Sequence, residues 1–501
     1  MASLRENLYG RTVLYTDELE IDDSNIGDVL TDAINDHETN SSDIDYLYQY
    51  YKGDQPINTR EKTYNSDINN KVTVNRAAEI VDFKVGYLLS APIQYIDSAS
   101  NDIEEKIDNS DLDVLTRFCM LEDKDTSDLE VAQWQSICGR AFRMILPKEE
   151  TLDEESPFAI YTLDPRSTEV VYSSKMGHKP MLAFTSVTLN DDNNTVLYYC
   201  YTDTNFYVMD KDGNDMSDDL TKSGPHALGM IPIIEYPANE ARLGDFEQVL
   251  SLLNAVNTVM SNRVDGVEQF IQAILCMEGM QIERSSNQGQ AEAESAFMSQ
   301  VREVGGMMIP SGSKAYYLTQ ELNQQQTETL VQSMYNQILS IVGMPNRNMG
   351  DSSTSDTGSA VILRNGFSEA EARAKIRENY FKKSERKFLN LMIIMSNTLG
   401  GTNILPTDVD IRFPRRNYTN DSANVTNLIS MLTSDWITPE FAYAHSNMCA
   451  DPHHEYLLAK TWHEEQEQAE VDTLSGINND EPDNDEPEIP AARDETSQIE
   501  A

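Results

Sequence analysis

"GDFEQVLSLLNAVNTVMSNRVDGVEQFI", residues 244–271, is the stretch of this 501-residue chain that decides the fold. Apolar side chains recur in it at every third or fourth position, which is the spacing of an amphipathic helix. These positions are Phe246, Val249, Leu250, Leu253, Val256, Met260, Val264, Val267 and Ile271. At a rise of 1.5 Å per residue the helix would reach roughly 40 Å, which is long for a globular domain. We therefore predict one long helix over residues 244–272.

A second long helix is predicted at residues 324–342. One face of it carries Thr327, Val331, Met334, Ile338 and Ile341. Between the two helices, residues 273–323 form a mixed segment that is broken by glycines. The simplest arrangement is an antiparallel helix pair with a small module at its far end.

Upstream of this pair the sequence predicts helices followed by strands. Residues 26–34 and 41–53 indicate two short helices, residues 75–90 a third, and residues 101–140 are mostly helical. From residue 158 to 234 the apolar period changes to two, which is typical of an antiparallel meander. Its strands are predicted at residues 158–163, 168–174, 181–189, 195–203 and 205–210.

Downstream of the pair, residues 343–358 (GMPNRNMGDSSTSDTG) predict a polar, flexible loop. A long helix is predicted at 359–400, with a strand and further helices at 401–463. The long helix is locally basic, with eight Lys or Arg against four Glu, and we interpret these charges as pairing with acidic neighbours across subunits. Residues 464–501 hold 14 Asp or Glu and one Arg, which predicts a disordered acidic tail. The fold class is therefore α+β and helix-dominated.

The charge of the chain excludes some partners. A formal net charge of -46 opposes non-specific attachment to anionic membranes or to DNA over the whole surface. The longest apolar run, residues 388–395, is too short to span a bilayer, and we expect no membrane association. The five cysteines are widely spaced and indicate reduced core thiols of an intracellular compartment.

Catalytic and metal-binding motifs fail on their spacing. The segment GGMMIPSGSK at residues 305–314 does not match the phosphate-binding loop, and DKDGND at 210–215 does not match a calcium loop. His453, His454, His463 and Cys449 are a poor zinc set because adjacent histidines rarely face one ion. The serines of the 343–358 loop have no histidine or lysine near in sequence to activate them. We expect no catalytic residue, no metal and no cofactor.

The order of the elements resembles a known family. The segments that carry the likeness are YYKGDQPI, the helix NRAAEIVDFKVGYLLSAPIQY, the hairpin YTDTNFYVMDKDG, and GMIPIIEY just before the long helix. The most family-like pattern is N-x5-V-D-x-K-x-G-Y-L-x3-P at residues 75–92. In these features the chain resembles the portal proteins, or head-to-tail connectors, of tailed double-stranded DNA bacteriophages, of the type common in phages of Gram-positive hosts.

The resemblance implies a ring of about twelve subunits at one capsid vertex, around a channel for DNA packaging and ejection. It implies a wing at residues 1–243, stem helices at 244–272 and 324–342, and a clip at 273–323. A tunnel loop at 343–358, a long wing helix at 359–400, and a strand with crown helices at 401–463 would follow. The implied partners are double-stranded DNA without sequence specificity, the large terminase subunit, a head-completion adaptor, and scaffolding and major capsid proteins. The implied location is the virion, with assembly in the host cytoplasm.

The tunnel loop supplies the candidate site residues, which would project into the channel. They are Asn346, Arg347, Asn348, Met349, Gly350, Asp351, Ser352, Ser353, Thr354, Ser355, Asp356, Thr357 and Gly358. Arg347 is the only cation among them and is opposed by Asp351 and Asp356. Polar side chains of this kind can make transient contacts with phosphates while the DNA slides.

Two alternatives stay open at this point. One is another head-morphogenesis protein of the virion, although scaffolds tend to be helical throughout and residues 158–234 are rich in strands. The other is a carboxylate- or metal-dependent hydrolase or nuclease, which would need clustered carboxylates with shifted pKa values.

Overall fold

Helices and short strands alternate along the chain in a computed structural model of it. The described residues are 10–63, 66–97, 109–148, 155–190, 195–217, 223–271, 274–278, 291, 295, 299, 313–318, 324–346, 366–414, 421–446 and 452–477. The chain divides into two units, Met1–Tyr418 and Thr419–Ala501. The predicted fold class, a helix-dominated α+β fold, is confirmed.

The helices of the first unit are α1 (Ile26–Lys52), α2 (Arg76–Leu88), α3 (Asn109–Leu121), α4 (Lys124–Cys138), α5 (Leu250–Ile271), α6 (Gln324–Val342) and α7 (Phe367–Leu399). Two 3₁₀ turns, Pro56–Thr59 and Glu247–Val249, accompany them. The predicted helix at 324–342 is confirmed to the residue. The one predicted at 244–272 is present as the second 3₁₀ turn followed by α5.

The prediction of two short helices at 26–34 and 41–53 is wrong, because α1 is continuous. Polar residues near its centre, where the prediction left a break, make tertiary contacts. Asn40 exchanges two hydrogen bonds with the backbone of Thr12, at 2.8 and 2.9 Å, and Ser41 Oγ donates to the carbonyl of Arg166 at 2.8 Å. The helix ends where predicted, at Gly53, which adopts a φ of 98°.

Thirteen strands are present among the described residues. They are β1 (Leu14–Thr16), β2 (Gln94–Asp97), β3 (Arg140–Pro147), β4 (Phe158–Leu163), β5 (Thr168–Ser173), β6 (Pro180–Thr188), β7 (Val196–Tyr201), β8 (Asn205–Met209), β9 (Gly224–Pro225), β10 (Ile233–Pro237), β11 (Ile274–Glu278), β12 (Lys314–Leu318) and β13 (Val409–Arg412).

The predicted meander is confirmed only from its second strand onward. Strands β5 to β9 follow one another in an antiparallel sheet, which β1 extends by a parallel pairing with β5. The first predicted strand, β4, belongs instead to a separate sheet of order β10-β3-β4. Strand β4 pairs with β3 along its whole length, so β3 takes the place beside β4 that the prediction gave to β5.

Helix α7 passes through the largest apolar cluster of the first unit. Phe381, Phe388, Leu389 and Met392 of α7 are buried there against residues of α3, α4 and the β10-β3-β4 sheet. A buried charge network adds to this packing. Glu385 of α7 contacts Lys124 Nζ at 2.9 Å and Arg143 Nη1 at 3.3 Å. Both cations also pair with Asp128.

Helices α5 and α6 pack antiparallel. Leu253 and Val256 of α5 share an apolar cluster with Ile338 and Leu339, which lie near the end of α6. Arg263, near the end of α5, pairs with Glu328, near the start of α6. Beyond this end of the pair, β11 and β12 form an antiparallel ladder.

The second unit consists of three helices in its described residues, α8 (Asp421–Leu432), α9 (Pro439–His445) and α10 (Pro452–Ile477). We predicted disorder from residue 464, but α10 continues to Ile477. The Glu, Gln and Ala residues that make this stretch acidic and poor in apolar groups are also strong helix formers. The remainder of the predicted tail, residues 478–501, lies outside the described residues.

Candidate functional site at the base of the tunnel loop

Only the first of the thirteen predicted site residues lies in the described part of the chain. The Nδ2 atom of Asn346 donates a hydrogen bond of 2.9 Å to Oδ1 of Asn336, on α6. The other twelve, residues 347–358, lie outside the described residues. The structure therefore defines the residues on either side of the segment 347–365, at the end of α6 and the start of α7, which we call the base.

Helix α6 ends in a Schellman motif just before the loop. Gly343 adopts a φ of 66°, in the left-handed region that favours glycine. The backbone N–H of Met344 donates to the carbonyl of Leu339 at 2.9 Å, and that of Gly343 to Ser340 at 3.3 Å. Met344 and Leu339 also belong to one buried apolar cluster. The chain therefore leaves α6 in a fixed direction.

Two cations from other helices bind the last carbonyls of α6. Lys84 Nζ, on α2, donates to the carbonyl of Val342 at 2.5 Å, and Arg373 Nη1, on α7, donates to that of Ile341 at 2.8 Å. Positive groups stabilise a helix C-terminus, where the peptide dipoles leave partial negative charge. Burial lowers the pKa of Lys84, because the desolvated ammonium is disfavoured.

The far end of the loop lies against the near end. Gly366, with a φ of 85°, precedes the first residue of α7. A Cβ atom built on Gly366 would lie 3.7 Å from the Cα atom of Pro345. The described residues on either side of the segment 347–365 therefore lie close together.

A cavity of about 210 Å³ lies beside this base, between α2, the end of α6 and the start of α7. Its lining includes Phe83, Lys84, Ile376 and Arg377. Arg377 pairs with Asp245 at 2.6 Å, and Ser136 Oγ donates to the same carboxylate at 2.6 Å. These polar groups bind one another and hold α7 against the start of the α5 segment.

Four basic side chains of α7 have acidic partners within the same chain. Besides Arg377 with Asp245, Arg373 pairs with Glu369 and Lys382 with Glu378, each at 2.7 Å. Our interpretation that the charges of this helix pair across subunits stays a prediction for the remaining basic residues. Three of the four acidic partners, Glu369, Glu371 and Glu378, are themselves on α7, at the i,i+4 spacing that a helix brings together.

Sequence reasoning predicted where helix α6 ends but missed the residues that bind its last carbonyls. The signal for the helix end was present, because Gly343 followed by Pro345 is a common way to stop a helix. No local pattern could have indicated Lys84, which is 258 positions away from Val342. The role of Arg373 was hidden for the same reason, since a basic residue on a basic helix resembles its neighbours.

Metal sites and membrane spans were also sought in the described parts of the chain. No group of three His, Cys, Asp or Glu side chains there is placed to hold a metal ion. No helix described there is both long and apolar enough to cross a bilayer. The side chains of His453 and His454, and all of Cys449, lie outside these parts.

Comparison with known proteins gives one match that covers most of the chain. The family model described as "Phage portal protein, SPP1 Gp6-like" matches residues 30–472. No curated protein sequence matches.

Among solved structures, the chain is similar to subunits of gene transfer agent particles. The neck of an empty particle, computed with C6 symmetry, matches at 10% identity and a TM-score of 0.43, over 75% of this chain and 90% of that one. The neck of a native particle, computed with C12 symmetry, matches at 8% identity and 0.41 over the same shares. The virion of a native particle matches at 9% identity and 0.42, over 82% and 94%.

Proposed function

Because this chain belongs to the SPP1 Gp6-like family of phage portal proteins, we propose that its subunits form a ring of about twelve at one capsid vertex. The family match over residues 30–472 carries this proposal, and it confirms the resemblance predicted from the sequence. The ring would be a component of the virion, assembled in the host cytoplasm, and its central channel would conduct double-stranded DNA during packaging and ejection.

The elements of the first unit support a division of labour within the subunit. Helices α5 and α6 would be the stem, and residues 273–323 the clip, of which β11 and β12 form a ladder beyond the end of the helix pair. The clip would dock the large terminase subunit during packaging and a head-completion adaptor afterwards. Residues 1–243 and α7 would form the wing, and α8 to α10 the crown, with contacts to scaffolding and major capsid proteins.

The tunnel loop would project into the channel towards the DNA. The support for this is the construction of its base, where Lys84, Arg373 and the turn at Gly343 fix the direction of the chain. A loop anchored at both ends can contact moving DNA without pulling its flanking helices out of place. We expect no sequence readout, because the loop offers short polar side chains and a single Arg.

Exposed apolar side chains in the second unit support self-association. Ile429, Trp436 and Trp462 are 55%, 96% and 58% exposed, whereas Ala442 and Ser446 are the buried residues among those described in this unit. An assembly that covered these side chains would gain free energy from their burial.

We further propose that the protein has no catalytic activity and that the terminase supplies ATP hydrolysis. This is supported by the failed phosphate-loop spacing at residues 305–314. The competing hypothesis is a metal-dependent nuclease.

Electron microscopy of the purified protein in negative stain, with its mass from light scattering, tests this proposal. We expect annular particles with a central hole and a mass about twelve times the 56.5 kDa of one chain. A monomer at every concentration, with and without the scaffolding protein of its own particle, would overturn the proposal. DNA cleavage that depends on Mg²⁺ would then establish the nuclease.

A further inference from the structure

Three exposed cations form a stripe near the middle of α7. Lys383, Arg386 and Lys387 are exposed, and their spacing of three and four residues places them on one face of the helix. In the described part of the chain, no carboxylate lies within 4 Å of these three side chains, in contrast to the four paired basic residues of the same helix. We call them the basic stripe. They stand out in a chain that has 84 Asp or Glu against 38 Lys or Arg.

The basic stripe lies on the side of α7 that faces away from α4. Glu385 contacts Lys124 of α4 at 2.9 Å and is fully buried. It is two residues from both Lys383 and Lys387, and two residues correspond to a little more than half a turn of an α-helix. The two lysines therefore point away from the contact between α7 and α4.

Helix α1 carries a stripe of the opposite charge. Asp28, Asp32 and Asp36 are exposed and are four residues apart, so they lie along one face, which we call the acidic stripe. No Lys or Arg side chain among the described residues is within 4 Å of their carboxylates, and the one Lys of α1, Lys52, is at its last position. This stripe therefore has no cationic partner within the described part of its own subunit.

The acidic stripe also faces away from α4. Tyr48 of α1 stacks on Trp134 of α4, with the ring centroids 5.0 Å apart. Asp28 and Asp32 precede Tyr48 by about five and a half and four and a half helical turns, respectively. Half-turn offsets place them on the side of α1 opposite to Tyr48.

Helix α4 lies between α1 and α7. Its Lys124 contacts α7, whereas Gln133 Nε2 donates a hydrogen bond of 2.9 Å to the hydroxyl of Tyr51, on α1. Positions 124 and 133 are about two and a half turns apart and so point to opposite sides of α4. The acidic and basic stripes are therefore at the two outer edges of one row of helices, α1, α4 and α7.

From this arrangement we propose that the basic stripe of one subunit binds the acidic stripe of the next subunit in the ring. A ring closes through a heterologous interface, in which two different surfaces of the same chain meet. Complementary surfaces at opposite edges of a helix row meet this requirement. The inference rests on the proposed portal function and names the surfaces by which its subunits recognise one another.

The spacing of the charges fits such a contact. Lys383 and Lys387, like successive Asp residues of the acidic stripe, are four residues apart, or about 6 Å along a helix. Two ion pairs can thus form side by side when the helices pack together. Opposite charges across an interface increase the rate of association and fix its register, which matters for subunits that each carry a formal net charge of -46.

Charge reversal in the full-length protein tests the proposal. One variant is Lys383→Glu with Arg386→Glu, and the other is Asp28→Lys with Asp32→Lys. Each places like charges against each other at every interface of the ring. The measurement is the protein concentration at which half of the subunits are in rings, followed by light scattering at constant salt. We expect each variant to raise this concentration at least about tenfold.

The control reverses two cations elsewhere on the surface. Arg117 of α3 and Lys175, between β5 and β6, are exposed, and Arg117→Glu with Lys175→Glu changes the net charge as much as the reversal of the basic stripe does. This variant should assemble as the wild type does. An equal loss of assembly in the control would overturn the inference, because net charge alone would then explain the effect.

Mixing the two reversal variants separates a broken interface from a misfolded subunit. Each variant alone has like charges at both edges, but alternating subunits restore opposite charges at every contact, and an even-numbered ring of twelve can close. We expect an equal mixture to form rings at the wild-type concentration, with both variants present in equal amounts by native mass spectrometry. Two variants that keep the wild-type Tm but fail to assemble when mixed would overturn the inference.

A neutral variant keeps the test decisive if a reversal disturbs folding. Lys383→Gln with Arg386→Gln removes the attraction without adding repulsion, and it should raise the assembly concentration by a smaller factor. No change in this variant would also overturn the inference, as would normal assembly of the reversed basic stripe with weaker retention of DNA. All these outcomes leave the wild-type ring intact, whereas failure of the wild-type protein to form rings would reject the proposed function itself.

Discussion

The guanidinium of Arg373 donates a hydrogen bond of 2.8 Å to the carbonyl of Ile341 and so joins helix α7 to helix α6, which flank the proposed tunnel loop. The same side chain passes over Gly343, where a Cβ atom would lie only 2.3 Å from Arg373 Nε. The position of both helix ends is therefore set by contacts outside the loop itself. Changes within the loop and changes at its base should have different consequences.

We predict that Gly343→Ala destabilises the protein by about 2–3 kcal/mol. A left-handed backbone costs a residue with a Cβ about 1–2 kcal/mol, and the displacement of Arg373 adds the loss of its hydrogen bond to Ile341. The matched control is Gly177→Ala, since Gly177 has a φ of 97° but nothing within 4 Å of its Cβ position. It should show only the backbone cost in thermal unfolding. Equal losses for the two variants would contradict the close approach of Arg373.

Glu385→Gln should be among the most destabilising single changes in the protein, at about 3–5 kcal/mol, because it leaves two buried cations with less negative charge. Glu385 is fully buried and also accepts hydrogen bonds from Tyr95 at 2.6 Å and Tyr236 at 2.8 Å. Burial alone would raise its pKa, but Lys124 and Arg143 outweigh this effect and lower the pKa to about 2. The carboxylate is therefore charged throughout the physiological range.

The control for this change is Glu369→Gln on the same helix. Glu369 pairs with Arg373, but the two side chains are 55% and 43% exposed, and such pairs contribute about 0–1 kcal/mol. Denaturant unfolding of both variants measures the difference. A small effect of Glu385→Gln would mean that the network relaxes or admits water.

The sequence predicted the parts of this fold that depend on local periodicity. Helices α5 and α6 have apolar positions at helical spacing, and α6 carries its own stop signal at Gly343. Strand β3 went unrecognised because both of its faces are buried near its start and the buried residues include Arg140 and Arg143, which suggest surface positions in a sequence. Their partners come from other elements, Glu169 of β5 for Arg140, and Asp128 of α4 with Glu385 of α7 for Arg143.

The error in the meander follows from the missed strand. With β3 absent from the prediction, β4 was paired with its successor along the chain, although β3 binds β4 in a separate sheet. At the candidate site, too, local features could be predicted from the sequence, whereas contacts between distant parts of the chain could not. The end of α6 could be predicted from the sequence, while the binding of its last carbonyls by Lys84 and Arg373 depends on how three helices pack.

A buried pair near the start of α5 predicts a specific dependence on pH. Glu247 Oε1 lies 3.0 Å from Arg11 Nη1, and both side chains are fully buried. Burial raises the pKa of Glu247 from 4.5 to about 7, although Arg11 opposes the shift. Between these two values the folded protein keeps a proton that the unfolded chain releases. The contribution of Glu247 to stability therefore falls as the pH rises from 4.5 to 7, by about 3 kcal/mol at most.

Glu247→Gln removes this dependence because an amide does not ionise. The Tm of the variant minus that of the wild type should thus become more positive between pH 5 and pH 8. The control is Glu240→Gln, an exposed position close in sequence, for which the difference should stay constant. A difference for Glu247→Gln that is constant or becomes more negative would show that Arg11 keeps the carboxylate ionised.

The last prediction concerns the tunnel loop. Replacing residues 350–358 with a rigid, proline-containing segment of equal length should block DNA packaging while rings still assemble. Assembly should survive because Gly343, Lys84, Arg373 and Asn346, which hold the base, are unchanged. Packaging should fail because a stiff loop cannot follow the moving phosphate backbone.

A scrambled loop of the same nine residues is the control and should package normally, since its polarity and flexibility are kept. The measurement is the amount of DNA protected from nuclease within assembled particles, with ring formation followed by electron microscopy. Normal packaging by the proline variant would reject the assignment of this segment to the channel, and loss of rings in both variants would place it in a subunit interface.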